Sequence, residues 1–341
     1  MCLFPQLIKN PKYKANEKNG GNIPAISDER VSYVPIGCGK CIECMKQRAM
    51  NWKIRLLEDV RVNKNGHFVT LTFSNESYYE LYNEINKELK GYDIDNAIAT
   101  LAVRRFLGRW RKKYKKSVRH WFVTELGHEG TENIHLHGII WTDIEHNEIK
   151  NIWNYGFVWC GYSYQQRTYV NEATVNYITK YVNKSDEKHK LYKPIILCSP
   201  GIGRSYCDRP DFNRHKYNED RTIEAYKTRS GHELNLPIYY RNKLYSDSEK
   251  EKLWLNKLDK NERFVLGVKI DVSEGDSAYI NALKWARLKN NKLGFGGDQV
   301  TWEEAEYERK LRTIKQMERL KNAEEKIAMK LNNNKKKSKR K

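Results

Sequence analysis

The chain has 341 residues, and 63 Lys+Arg against 43 Asp+Glu give it a formal net charge of +20. Hydrophobic content is 39% and mean hydropathy −0.85. No run approaches the roughly eighteen apolar residues that read as a membrane-spanning helix, so no membrane partner is expected. The excess of positive charge favours a polyanionic partner, with an anionic membrane surface or an acidic protein as the alternative. The 22 Tyr and 9 Trp tilt that choice toward nucleic acid, because aromatic rings stack on bases beside basic grooves.

Residues 1–36 show little periodicity and contain Asn19-Gly20-Gly21-Asn22 and Pro24, which predicts an irregular N-terminal arm. The opening Met1-Cys2-Leu3-Phe4-Pro5 lacks the charged-then-apolar pattern of a signal peptide, so a cytoplasmic location is the default. Three of the seven cysteines fall in Gly37-Cys38-Gly39-Lys40-Cys41-Ile42-Glu43-Cys44. That C-x2-C-x2-C spacing is metal-ligand usage in a reducing compartment, and it makes Cys38, Cys41 and Cys44 a candidate structural Zn2+ site. A tetrahedral site needs a fourth ligand. Cys2 is the nearest candidate, with Cys160, Cys198 and Cys207 as rivals.

Residues 42–62 read as a helix, with Trp52, Leu56 and Val60 at four-residue spacing. His67–Phe73 alternates as a strand, placing Val69, Leu71 and Phe73 on one face and Thr70 and Thr72 on the other. Residues 96–116 read as a second helix with a strongly basic end. Arg104, Arg105, Arg109, Arg111, Lys112 and Lys113 are candidate DNA-binding residues there, although cations also suit a helix C-terminus on dipole grounds alone.

Arg119–Glu125 reads as a strand, a turn follows, and Ile134–Ile140 reads as its hairpin partner. His135 and His137 share one face of that partner, about 6.6 Å apart along the strand. Two imidazoles so placed can converge on one metal ion. If Glu125 lies opposite His135, it joins them as third ligand, with His128 and His120 as rivals.

Residues 145–154 read as a short helix and 157–160 as a strand. Asn171 can cap the helix Ala173–Lys184. Val175, Ile178 and Val182 form its apolar stripe. Tyr177 and Tyr181, four apart, stand together on an adjacent face, with Lys180 and Lys184 three residues after each. A phenol is only about a thousandth ionised at neutral pH. A divalent cation that polarises a phosphate, with a lysine to stabilise the developing charge, would turn such a tyrosine into a nucleophile.

These residues resemble the HUH endonuclease superfamily, and most closely the replication initiators of gokushovirus-like microviruses (Microviridae). Phe68-Val69-Thr70-Leu71-Thr72-Phe73 resembles the first family motif, His135-Leu136-His137 the histidine–hydrophobic–histidine motif, and Tyr177-Ile178-Thr179-Lys180-Tyr181 the two-tyrosine motif. The resemblance spans roughly residues 1–245. It implies an α+β fold: an antiparallel central sheet flanked by helices, followed by a helical, basic C-terminal extension. It implies origin nicking in rolling-circle replication, in the host bacterial cytoplasm, with Mg2+ or Mn2+ held by His135, His137 and Glu125. Tyr177 and Tyr181 are then the nucleophiles, assisted by Lys180 and Lys184. The partners implied are single-stranded DNA at a phage origin, and the host replication helicase and polymerase. A plasmid Rep or transposase of the same superfamily would use the same site. A non-catalytic zinc-containing DNA-binding protein is the reading from another class.

The expected organisation is an arm over 1–36, an endonuclease core with its cysteine cluster over 37–185, an extension over 186–285, and a charged helix with a disordered basic tail over 286–341. Pro200-Gly201-Ile202-Gly203-Arg204 is read as a plain turn or as a phosphate-facing loop. The helix over 302–331, charged nearly all round, is read as solvent-exposed or partner-binding.

Overall fold

A computed structural model describes residues 2–127, 132–160, 170–183, 188–189, 191–297 and 302–338. In chain order, β1 (Gln6–Lys9), β2 (Tyr33–Ile36) and α1 (Ile42–Val62) are followed by β3 (Gly66–Leu71), α2 (Asn75–Tyr82) and α3 (Tyr92–Tyr114). The hairpin β4 (Arg119–Leu126) and β5 (Ile134–Trp141) leads to α4 (His146–Trp153), β6 (Val158–Trp159), α5 (Glu172–Asn183) and β7 (Ile196–Cys198). Then come α6 (Pro210–Asn213), β8 (Ala225–Lys227), β9 (Glu233–Asn235), α7 (Ile238–Leu244) and α8 (Asp247–Asp259). β10 (Glu262–Val265), β11 (Val268–Asp271), α9 (Ser277–Lys292) and α10 (Trp302–Ser338) complete the chain.

Two compact units interleave along the sequence. One is Met1–Glu58, Asn183–Lys190 and Gly203–Val300; the other is Asp59–Val182, Leu191–Ile202 and Thr301–Lys341. The fold is α+β, with an antiparallel sheet flanked by helices. Among the described residues no helix is long and apolar enough to cross a membrane.

The second unit is built on a five-stranded antiparallel sheet, in the order β6-β3-β5-β4-β7 among the described residues. Period-two alternation divides each strand between two faces. Val69, Leu71, Ile134, Leu136 and Ile140 turn to one face and are fully buried there with Ile98, Phe106 and Trp110 of α3. Gly138 falls on the same face of β5. A Cβ there would lie 2.1 Å from the Phe122 ring and 2.5 Å from the Trp121 carbonyl oxygen, so only glycine lets β4 and β5 pair at this point. α3 ends where Lys115 adopts a left-handed conformation (φ 58°) and its N–H returns to the Arg111 carbonyl.

α10 packs on α2 within this unit. Arg312, Gln316, Leu320 and Ala323 recur at helical spacing and are all buried. Arg312 and Gln316 reach the fully buried Asp95 of α3, with Arg312 Nε 2.9 Å and Gln316 Nε2 2.8 Å from Asp95 Oδ2. The reading of this helix as wholly solvent-exposed is therefore corrected: half of its buried stripe is polar, and the helix is held by a buried ion pair as well as by apolar contact. The helix also continues through Ser338, into the lysine run read as disordered.

The first unit contains three two-stranded antiparallel pairs among its described residues: β1–β2, β8–β9 and β10–β11. β1 pairs with β2 from Gln6↔Ile36 to Lys9↔Tyr33, so the residues read as an irregular arm carry a ladder. Strands of four residues, with Pro35 inside one of them, show too little alternation to be read from the sequence. The stretch read as irregular after Ser185 likewise holds β7, α6, β8, β9 and α7. Gly201 and Gly203 adopt positive φ of 72° and 76°, as the turn reading of Pro200–Arg204 requires.

Candidate metal and tyrosine site

The face of the sheet away from α3 carries the chemistry. β4 and β5 pair in the register Glu125↔His135 and Val123↔His137, and β3 adds Thr70↔His137. The opposition of Glu125 and His135 that the hairpin reading required is present. Three ligating atoms converge. His137 Nε2 lies 2.8 Å and His135 Nε2 3.1 Å from Glu125 Oε2, and the two Nε2 atoms are 3.1 Å apart. His137 is buried, and Glu125 and His135 are half-buried. His120, a rival third ligand, lies on the opposite face of β4, where its Nδ1 contacts the Val118 carbonyl at 3.1 Å. His128, the other rival, lies outside the described residues.

The other ring nitrogens fix how the imidazoles face. His135 Nδ1 is 3.2 Å from the Asn133 carbonyl oxygen, which can only accept, so Nδ1 carries the proton and the neutral ring presents a bare Nε2. His137 Nδ1 is 3.0 Å from Thr70 Oγ1. Two imidazole nitrogens and a carboxylate oxygen crowded at such distances repel unless a proton or a cation lies among them. This donor set, with a hydrogen-bond partner behind each imidazole, fits a divalent cation.

α5 lies against this face. Asn171 Oδ1 accepts from Thr174 N at 3.0 Å, the expected cap, and Val175, Ile178 and Val182 are fully buried. That orientation sends Tyr181 and Tyr177 toward the histidines. The Tyr181 ring stacks on His137 with centroids 4.0 Å apart and planes within 10° of parallel. Tyr177 meets Phe68 of β3 edge-on at 5.8 Å and Tyr181 at 5.4 Å.

The two phenols are not equivalent. Tyr181 Oη donates to Tyr177 Oη at 2.6 Å. Burial first, then this hydrogen bond, raises the Tyr181 pKa above the ordinary phenol range, whereas Tyr177 is 48% exposed. Lys180 is exposed, and Lys184 lies outside the described residues. Thr70 and Phe68 were not assigned roles from the sequence. Their signal was positional: both lie on the histidine-facing side of a strand paired to β5.

The predicted DNA-binding residues of α3 are not brought to this site, since α3 covers the opposite face of the sheet. Arg109 donates to the Ile152 and Trp153 carbonyls, both at 2.7 Å, and to Tyr155 Oη at 2.9 Å, closing the C-terminus of α4. Arg105 pairs with Glu84, and Lys113 with Glu148. Arg104, Arg111 and Lys112 are exposed. In the first unit the four cysteines Cys2, Cys38, Cys41 and Cys44 come together, with Cys2 and not Cys160, Cys198 or Cys207 completing the group.

Residues 66–186 match the model of a family described as replication-associated protein ORF2. The matched segment runs from β3 through α5 and contains Glu125, His135, His137, Tyr177 and Tyr181. About a third of the chain is thus similar to a replication-initiator family, and the similarity points to DNA as the partner. No curated protein and no solved structure matches the chain.

Proposed function

We propose that this chain is a replication initiator of the HUH endonuclease type, resembling those of gokushovirus-like microviruses. It nicks single-stranded origin DNA by tyrosine attack and remains linked to the 5′ end. The observation that carries this reading is the convergence of Glu125, His135 and His137 beneath a helix face bearing Tyr177 and Tyr181. The match of the same segment to a replication-associated family supports it.

In this reading Glu125, His135 and His137 hold a divalent cation, which supplies charge neutralisation at the scissile phosphate. Two imidazoles and one carboxylate suit Mn2+ better than Mg2+, which prefers all-oxygen ligands. Tyr oxygen attacks phosphorus; the new bond is Tyr Oη–P, the broken bond is P–O3′, and the phenol proton ends on the departing 3′ oxygen. The 5′-phosphotyrosine ester conserves the energy for rejoining, and the free 3′-OH is what a host polymerase, with its helicase, would extend in the host cytoplasm. The second tyrosine permits a second transfer while the first ester stands. Lys180 and Lys184 stabilise negative charge on the phosphate. Arg104, Arg111 and Lys112, on the far side of the sheet, serve sequence-independent DNA contacts away from the reacting phosphate.

The test is incubation of the full chain with single-stranded origin DNA and Mn2+, followed by denaturing electrophoresis and peptide mapping. A covalent adduct on the α5 peptide is expected. An adduct that persists when Tyr177 and Tyr181 are both changed to Phe would refute the assignment. Thr70→Val provides a finer check. It keeps the strand shape but removes the oxygen behind His137, so Mn2+ affinity should fall by roughly 10- to 100-fold while the melting temperature changes little; calorimetric titration reads it.

A further inference from the structure

The cysteine cluster lies outside the tyrosine chemistry and belongs to the other unit. Its four sulfur atoms all lie within 4.8 Å of one another, with Cys2 Sγ 3.9 Å from Cys41 Sγ and Cys38 Sγ 4.0 Å from Cys44 Sγ. A disulfide needs about 2.05 Å between sulfurs, and all four cysteines are free. Sulfurs at the corners of a tetrahedron with bonds of about 2.3 Å to a central zinc stand about 3.8 Å apart. The two closest pairs are within a few tenths of an ångström of that edge.

Backbone amides are already turned to these sulfurs. Phe4 N and Cys38 N donate to Cys2 Sγ at 3.3 and 3.2 Å, and Cys41 N donates to Cys38 Sγ at 3.3 Å. Amide donors favour the thiolate over the thiol, the form a metal takes. Gly39, at φ +72° between Cys38 and Cys41, makes the tight turn that lets two successive cysteines face one point.

The surroundings hold the cluster in place. Asn290 is fully buried; its Oδ1 accepts from Ile42 N at 2.8 Å, and its Nδ2 donates to the Phe295 and Gly296 carbonyls. Arg287 Nε donates to the Leu3 carbonyl at 2.9 Å. The local apolar core is small, with Leu3, Phe4, Cys41, Ile42, Val265 and Ala286 its buried members among the described residues. A core of that size is where proteins use a metal or disulfide staple.

We propose that Cys2, Cys38, Cys41 and Cys44 bind one structural zinc ion, which ties the N-terminus to the start of α1 and to the α9 segment. The four thiolates close the tetrahedron and leave no open position, so the ion is structural and not catalytic.

Elemental analysis and zinc-edge X-ray absorption on the full chain test this, with His135→Ala/His137→Ala as background to empty the other site. One zinc per chain retained against EDTA, with four sulfurs at about 2.3 Å, is expected. Cys2→Ser and Cys41→Ser should each lose it, and Cys198→Ser should keep it. Chelation at elevated temperature should lower the melting point of the full chain. Absence of retained metal, iron with labile sulfide in its place, a zinc shell without sulfur, or zinc kept by Cys41→Ser would each overturn the proposal. If the Cys variants fail to fold, the absorption spectrum of the unchanged cysteines still decides it.

Discussion

Tyr177→Phe is expected to lower covalent capture of single-stranded DNA by on the order of 10³-fold or more, and Tyr181→Phe by only roughly 10- to 100-fold. The asymmetry comes from the hydrogen bond between the phenols. Tyr181 Oη donates to Tyr177 Oη at 2.6 Å, so negative charge developing on Tyr177 is met by a donor already in place. Burial, reinforced by that hydrogen bond, holds Tyr181 protonated well above the ordinary phenol range, so it stays a donor across the working pH range. Tyr177 is also the more exposed of the two, where a DNA strand can reach it. Tyr177 is therefore the first nucleophile of the proposed reaction. A hydrogen bond to a charged group contributes about 1.5–3 kcal/mol, which sets the smaller loss for Tyr181→Phe. The second transfer separates the variants further. Tyr181→Phe should accumulate the adduct on Tyr177 and yield little rejoined DNA. Quantifying adduct and rejoined strand side by side reads both effects, and equal loss of capture in the two variants would sink the order proposed here.

Most of the site was legible because its information is local and periodic. His135 and His137 share a face by alternation alone, and Tyr177 and Tyr181 share one by helical spacing. The register that adds Glu125 was the next step, and it could be posed only as a condition until the Glu125↔His135 pairing was seen. Thr70 could not be assigned a role, because its part depends on pairing between β3 and β5, some seventy residues apart, and a one-residue slip would turn it to the other face. The basic end of α3 misled in a different way. Composition shows that Arg109 is charged, but not that its guanidinium closes the end of α4. The side of the sheet that α3 covers is likewise a tertiary fact. The short ladders of the first unit escaped notice because four-residue strands carry too few alternations to register.

Arg312→Ala is expected to destabilise the sheet-bearing unit by about 3–5 kcal/mol, the largest stability effect predicted for a charged residue here. Asp95 is fully buried and accepts two bonds from Arg312, with Nε at 2.9 Å and the second nitrogen at 3.0 Å. Tyr78 Oη at 3.0 Å and Gln316 Nε2 at 2.8 Å complete its shell. Removing the guanidinium leaves a carboxylate in the interior with only neutral donors, and desolvation makes that far more costly than losing a surface pair. Arg312 also donates to the Glu132 carbonyl at 3.1 Å, so the loss reaches the segment just before β5. The other stripe members of α10, Leu320 and Ala323, contribute too little apolar area to hold a helix otherwise rich in charge. The double variant Arg312→Met/Asp95→Asn removes both charges and should recover a large part of the loss, because a buried pair contributes little net stability over a neutral replacement. Urea unfolding of both variants checks this. A cost below about 1 kcal/mol for Arg312→Ala would mean that α10 is anchored by something other than this pair.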